Sequence, residues 1–160
     1  INSVTRENYG NSLYVVNIHF TEEYVVWRKR EKGGGLIGTF ESYEAATKHL
    51  EAQGAALEDH EITQTQSHLL LSKNPDTAVL NNTAFIMDFS SSKLRVSREW
   101  NTQINQLGGD RFSSLWKLTA VQTQNRAAQK FWNLSVENQG WVLEADYEFA
   151  KGIYGSVKGA

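Results

Sequence analysis

The sequence predicts a mainly β fold with added helices, of the α+β class, and three observations carry that prediction. Residues that favour strands, many of them alternating with polar ones, fill Leu13–Phe20, Tyr24–Arg28, Ile62–Leu71 and Phe112–Thr123. Helical spacing is confined to a few stretches, and the clearest places Val96, Trp100, Ile104 and Leu107 on one stripe with Gly108-Gly109 as a stop. The length of 160 residues suits one domain that buries its own core.

The elements follow in order. Leu13–Phe20 and Tyr24–Arg28 are expected as two strands joined by a tight Thr21-Glu22-Glu23 link. Gly33-Gly34-Gly35 ends the second and gives the backbone freedom, and Leu36–Phe40 is a further short strand. Ser42 can cap a helix to about Gln53, with Tyr43, Ala46, Leu50 and Leu57 near one face and acids on the other. Ile62–Leu71 and Val79–Phe89 form a hairpin around the Asn74-Pro75-Asp76 turn, which holds the only proline. After the Val96–Leu107 helix come Phe112–Thr123 and Lys130–Glu137, a second hairpin. Leu143, Tyr147, Ala150, Tyr154 and Val157 repeat at helical spacing in the last segment, either to dock on the sheet or to pair with another chain.

Strands before the Val96–Leu107 helix and a hairpin after it fit an OB-fold. That fold is a five-stranded barrel with a helix between its third and fourth strands, and it binds oligonucleotides on one face and its rim loops. A single OB-like domain over residues 1–160 is therefore expected, with a helical insertion at about 42–57 and a C-terminal helix at about 144–157.

The charge is uneven. The chain holds 16 Lys and Arg against 18 Asp and Glu. Six acids (Glu41, Glu44, Glu51, Glu58, Asp59, Glu61) face Lys48 alone between Glu41 and Glu61. Seven bases (Lys93, Arg95, Arg98, Arg111, Lys117, Arg126, Lys130) stand against Glu99 and Asp110 between Phe89 and Leu134. Such polarity suggests a cationic face and an anionic back. The cations also sit beside aromatic rings, as in Tyr24-Val25-Val26-Trp27-Arg28-Lys29-Arg30, Trp116-Lys117 and Lys130-Phe131-Trp132. Cations neutralise phosphates and rings stack on bases of any identity, so single-stranded nucleic acid is the expected partner.

Tyr24, Trp27, Arg28, Lys29, Arg30 and Lys32 are candidate contacts, with the triple glycine allowing close backbone approach. Lys93, Arg95 and Arg98 on the central helix and Arg111 after it are further candidates. In the last hairpin the more apolar sets, Trp116-Leu118-Ala120 and Trp132-Leu134-Val136, are expected to face the core. That leaves Lys117, Lys130 and Phe131 outward, with Arg126 in the turn.

Other chemistries find little support. The Gly-Lys-Ser/Thr ending of a nucleotide-binding P-loop is absent after Gly35. His19, His49, His60 and His68 have no metal-ligand spacing, no cysteine offers a thiol, and no Gly-x-Ser-x-Gly elbow occurs. Pro75-Asp76 resembles the opening of a nuclease motif whose Glu-x-Lys does not follow. No catalytic residue, metal or cofactor is expected. A cone-shaped small-molecule pocket domain of the ketosteroid-isomerase class is an alternative, with Asp88 as its buried carboxylate. No apolar run reaches the ~18 residues of a membrane span, and no signal-peptide pattern is visible.

Two blocks carry a resemblance. Glu23-Tyr24-Val25-Val26-Trp27-Arg28-Lys29-Arg30-Glu31-Lys32-Gly33-Gly34-Gly35 is similar to a Glu-Tyr-Val-x-Trp-x-x-Arg-x-x-Gly-Gly-Gly block of a group of tailed-bacteriophage proteins. Ser90-Ser91-Ser92-Lys93-Leu94-Arg95-Val96-Ser97-Arg98-Glu99-Trp100-Asn101 resembles their second block, Ser-Thr-Lys-Leu-Lys-x-Ser-Arg-x-Trp-Asn, with mild departures at Ser91 and Arg95. Arg111-Phe112 and Gly140-Trp141-Val142 keep the same order. The resemblance implies a phage-encoded, non-enzymatic single-stranded DNA-binding protein of replication or recombination, working in the cytoplasm of the infected bacterium. Self-association through the C-terminal helix is a further expectation. A virion or scaffold assembly protein is the other reading within the same phage class.

Overall fold

The longest strand organises everything else. In the structure, a computed structural model that describes residues 12–158, β1 runs unbroken over Ser12–Arg28. The expected break at Thr21-Glu22-Glu23 is absent because β3 (His60–Lys73) pairs antiparallel with β1 along its length, from Tyr14↔Lys73 to Arg28↔His60. Thr21, Glu22 and Glu23 thereby oppose Ser67, Gln66 and Thr65. Polar side chains say little about a backbone whose hydrogen bonds are supplied by a neighbouring strand.

The other side of β1 is shared. β5 (Ser114–Gln124) pairs with Ser12–Val16, and β2 (Leu36–Phe40) pairs with Tyr24–Trp27. β4 (Phe85–Ser90) adds to β3, and β6 (Lys130–Trp141) adds to β5. The result is a six-stranded antiparallel sheet of order β4-β3-β1-β5-β6, with β2 beside the far half of β1. The register of β1 skips between Asn17 and His19, a bulge at Ile18 that bends the strand.

Three helices complete an α+β architecture: α1 (Tyr43–Ala52), α2 (Leu94–Leu107) and α3 (Glu144–Lys158). Ser42 caps α1 by accepting from the Ala45 amide at 3.0 Å. Three sequence expectations are corrected. The five-stranded barrel does not close: the sheet has six strands, and β4 and β6 stay unpaired with each other among the described residues. The 3-10 turn Ser91–Lys93 stands between those edges instead, where Asn133 Nδ2 donates to the Ser92 carbonyl at 3.4 Å. In chain order four strands, β1 to β4, precede α2, where an OB-fold has three. The strand expected from Val79 starts only at Phe85. The Asn74 and Asn81 side chains accept from the amides of Asp76 (2.9 Å) and Thr83 (3.0 Å), and these local turns displace the ladder.

Side chains sort by face. Val15, Leu70, Phe89, Trp116 and Leu118 meet Trp100 and Ile104 of α2 on the inner face. Val16, Ile18, Leu71 and Phe112 meet Ala150 of α3 on the outer face. Val26 packs on Ala46 and Leu50 in a separate cluster under α1. Tyr147 and Tyr154 are packed into the outer cluster. Of the stripe expected to dock or self-associate, Tyr147, Ala150 and Tyr154 are used within the chain and Leu143 is exposed. Leu107, expected in the helix stripe, is 43% exposed because α2 runs past the last core layer.

The inner core also holds polar groups. Asn17 Nδ2 donates to His68 Nδ1 (2.8 Å), which leaves the ring proton on Nε2. Nε2 then donates to Ser97 Oγ (2.7 Å), and the Ser97 hydroxyl donates to Gln66 Oε1 (2.5 Å). All four residues are buried.

Candidate nucleic-acid interface

The sequence-derived contacts occupy four places, not one. Arg28, Lys29, Arg30 and Lys32 cluster at the turn leaving β1, where the amides of Gly33 and Gly34 donate to the carbonyls of Arg30 (3.1 Å) and Lys29 (3.0 Å). Gly33, Gly34 and Gly35 have φ of 109°, 67° and 104°. Three successive left-handed residues require glycine, so the run is explained by the turn itself rather than by approach to a phosphate. Lys32 pairs with Asp59 at 3.7 Å. Trp27 is 43% exposed, while Tyr24 meets Tyr43 edge-on with ring centroids 6.4 Å apart.

The α2 cations are partly engaged. Arg95 Nε donates to Glu99 at 3.0 Å, and Arg98 donates to Gln64 Oε1 at 3.0 Å. Arg111 is half-buried: its Nη2 bonds Asn101, its guanidinium lies 5.5 Å from the Phe20 ring centroid, and burial pushes its pKa down to about 10. Lys117 alternates with the core residues Trp116 and Leu118 and so points to the outer face, 5.8 Å from the Tyr14 ring.

Lys93, Lys130 and Phe131 do come together. The β5–β6 ribbon continues to Gln124↔Lys130, beyond Ser12↔Thr119, the last β1 pair among the described residues. Its turn end faces the Ser91–Lys93 turn across a groove of about 780 Å³ lined by Lys93, Lys130, Phe131 and Trp132. Ser91 at φ 52° turns the chain from β4 into α2 and sets Lys93 on that wall. Arg126 lies in the exposed turn of the ribbon, which Asn125 closes by accepting from the amides of Ala127 and Gln129. Beside these cations the groove offers a wide aromatic surface, since Trp132 is 62% exposed.

Trp132 is the residue that sequence reasoning missed. It does share the face of Leu134 and Val136, but it pairs with Gln122 where no third strand or helix covers the ribbon among the described residues. The signal available was its neighbours: Gln122, Gln124 and Lys130 on the same face are polar. Trp116, by contrast, is fully buried as expected.

Two other chemistries can be weighed against the geometry. Ser97, His68 and Asn17 have the connectivity of a nucleophile, a base and an orienting group. Their arrangement works against that role: Ser97 is fully buried, and His68 Nε2 already carries the proton it would have to accept. Burial, with the Arg111 charge adding to it, lowers the His68 pKa to about 3. Asp88, the carboxylate of the pocket alternative, is exposed and accepts from Ser67 Oγ at 2.5 Å. No three potential metal ligands cluster among the described residues, and no described helix is long and apolar enough to cross a membrane.

The family model of the Pam3 phage gp34-like protein matches residues 1–160. The chain belongs to that family. The phage resemblance read from the two sequence blocks therefore holds at the level of a phage protein family. In this gp34-like chain the first block forms the end of β1 and its glycine turn, and the second forms the Ser91–Lys93 turn and the first half of α2. No curated protein and no solved structure matches the chain.

Proposed function

We propose that this gp34-like protein binds single-stranded DNA without sequence preference, in phage replication or recombination, and acts in the cytoplasm of the infected cell. The observation that carries the reading is the groove where Lys93 and Lys130 flank Phe131 and the exposed Trp132. Cations at the walls suit phosphates, and a solvent-facing indole suits a base, each stacked base contributing ~1–3 kcal/mol. Topology supports it. With β2 and α1 taken as an insertion, five strands remain, α2 falls between the third and fourth, and the first pairs with the second and fourth. That order supports an OB-like reading, in which the barrel stays open between β4 and β6. The ligand loops of an OB-fold follow the first and fourth strands; here those segments carry Lys29, Arg30, Lys32 and Arg126.

Titration of labelled oligo-dT at several salt concentrations tests the proposal. Three phosphate contacts, from Lys93, Lys130 and Arg126, predict a log K against log salt slope of about −2. Absence of binding at low salt, or binding indifferent to salt, would sink it. One observation favours the assembly reading instead: Trp141 and Leu143, 67% and 62% exposed, offer apolar surface at the β6–α3 junction. A stable oligomer by light scattering, with no oligonucleotide affinity, would favour that alternative.

A further inference from the structure

β1 has a gap in its pairing. β5 leaves it after Val16 and β2 joins only at Tyr24, and the 3-10 turn Arg111–Ser113 fills part of the space between. A pocket of about 300 Å³ opens there, lined by His19, Phe20, Gly109, Asp110, Arg111, Phe112 and Tyr154. That volume is at the low end of small-ligand sites, roughly 300–1,000 Å³. Arg111 is the informative residue. One nitrogen is used on Asn101 and the guanidinium plane rests near Phe20, but Nη1 is buried without a partner. None of the ion pairs among the described residues gives Arg111 a carboxylate. Asp110, which shares the pocket, accepts from the Tyr147 hydroxyl instead.

A half-buried cation with a buried, unpartnered donor beside a small pocket is unfavourable without a counter-charge. We propose that this pocket is an oxyanion site that takes a phosphate group, anchored by the Arg111 guanidinium with His19 and Tyr154 at its sides. The planar guanidinium fork is matched to phosphate oxygens, and a partly desolvated setting strengthens the contact. The phosphate is either free inorganic phosphate or the terminal phosphate of a nucleic-acid strand. This site does not depend on the Lys93–Trp132 groove, since the two share no lining residue.

An amide NMR titration of the full chain with inorganic phosphate, at ionic strength matched with chloride, tests the site. Saturable shifts at Phe20, Arg111 and Tyr154 are expected, with at least fivefold weaker binding in His19→Gln and Tyr154→Phe, which spare Arg111 if Arg111→Gln fails to fold. Comparing 5′-phosphorylated with 5′-hydroxyl oligo-dT separates the sources. A several-fold preference for the phosphorylated strand that His19→Gln abolishes assigns the strand end, and equal binding of the two oligonucleotides beside saturable phosphate shifts assigns the free ion. Absence of saturable shifts, shifts confined to Lys93 and Lys130, or unchanged affinity in both variants would overturn the site. Trp132→Ala reads the groove alone, so failure there and failure here are distinguishable.

Discussion

His68 lies flat against Trp100, with ring centroids 4.8 Å apart and planes 16° apart. Phe20 and Phe89 close on the same imidazole at 5.2 and 5.0 Å. The ring is held neutral, its pKa lowered to about 3 from 6.5. The unfolded chain therefore binds more protons than the folded one between those values, so stability is full above about pH 6.5 and declines as pH falls toward 3. Between pH 7 and pH 4 the His68 contribution should decline by roughly 3 kcal/mol, at about 1.4 kcal/mol per pH unit below 6.5. Urea unfolding across that range should show it, and His68→Gln should flatten the dependence relative to wild type. An unchanged slope in the variant would exclude His68 as its source.

Trp132→Ala should weaken oligo-dT binding by about 1–3 kcal/mol, roughly 5- to 150-fold. Trp132 is 62% exposed, so the melting temperature should move little. Lys93→Ala should instead reduce the salt slope by about 0.7, one single-strand phosphate contact. Fluorescence anisotropy measures both effects, and a Trp132 variant that binds as wild type would remove the indole from the site.

The Lys73–Asp146 pair ties α3 to β3 at 2.7 Å, with side chains only 11% and 15% exposed. Asp146→Ala leaves the ammonium in a nearly buried place without its partner, and should destabilise by about 3 kcal/mol. Hydrogen exchange should report the loss first in α3. Protection in α3 equal to wild type would mean that Ala150, Tyr147 and Tyr154 hold the helix unaided.

Gly34 at φ 67° is needed by the turn. Gly34→Ala should cost about 1–2 kcal/mol of stability and leave oligo-dT affinity unchanged once the protein is folded. Calorimetry and anisotropy on the same sample separate these effects. A loss of affinity at unchanged stability would restore the glycine run as a phosphate contact.

Periodicity located the helices closely: α2 begins two residues before Val96, and α3 covers the expected 144–157. Ser42 was readable as a cap because capping chemistry is local. Long-range pairing was not readable. Nothing local in Thr21-Glu22-Glu23 announces a partner about forty residues away in β3, and nothing in Lys130–Leu134 says that the ribbon outruns its neighbours among the described residues. The candidate site suffered for the same reason. Lys93, Lys130 and Phe131 were visible as residue types, but Trp132 needed the coverage of its face, and Arg111 needed its burial. The buried Asn17–His68–Ser97–Gln66 chain joins β1, β3 and α2 and leaves no short motif.

Arg28 and His60 are direct cross-strand partners, and Lys29 N donates to Asp59 O at 2.9 Å across the same point. The chain between them, residues 29–59, starts and ends at one rung of the β1–β3 ladder; it supplies β2 to the sheet, and its Ala46 and Leu50 pack on Val26 of β1. It is an insertion between two paired strands, and its removal would uncover Val26. Replacing it with a two-residue Asn-Gly turn would convert β1 and β3 into a plain hairpin. The two main cores would keep their residues, and a smaller protein would retain the Lys93–Trp132 groove while discarding the acidic stretch and the glycine turn together.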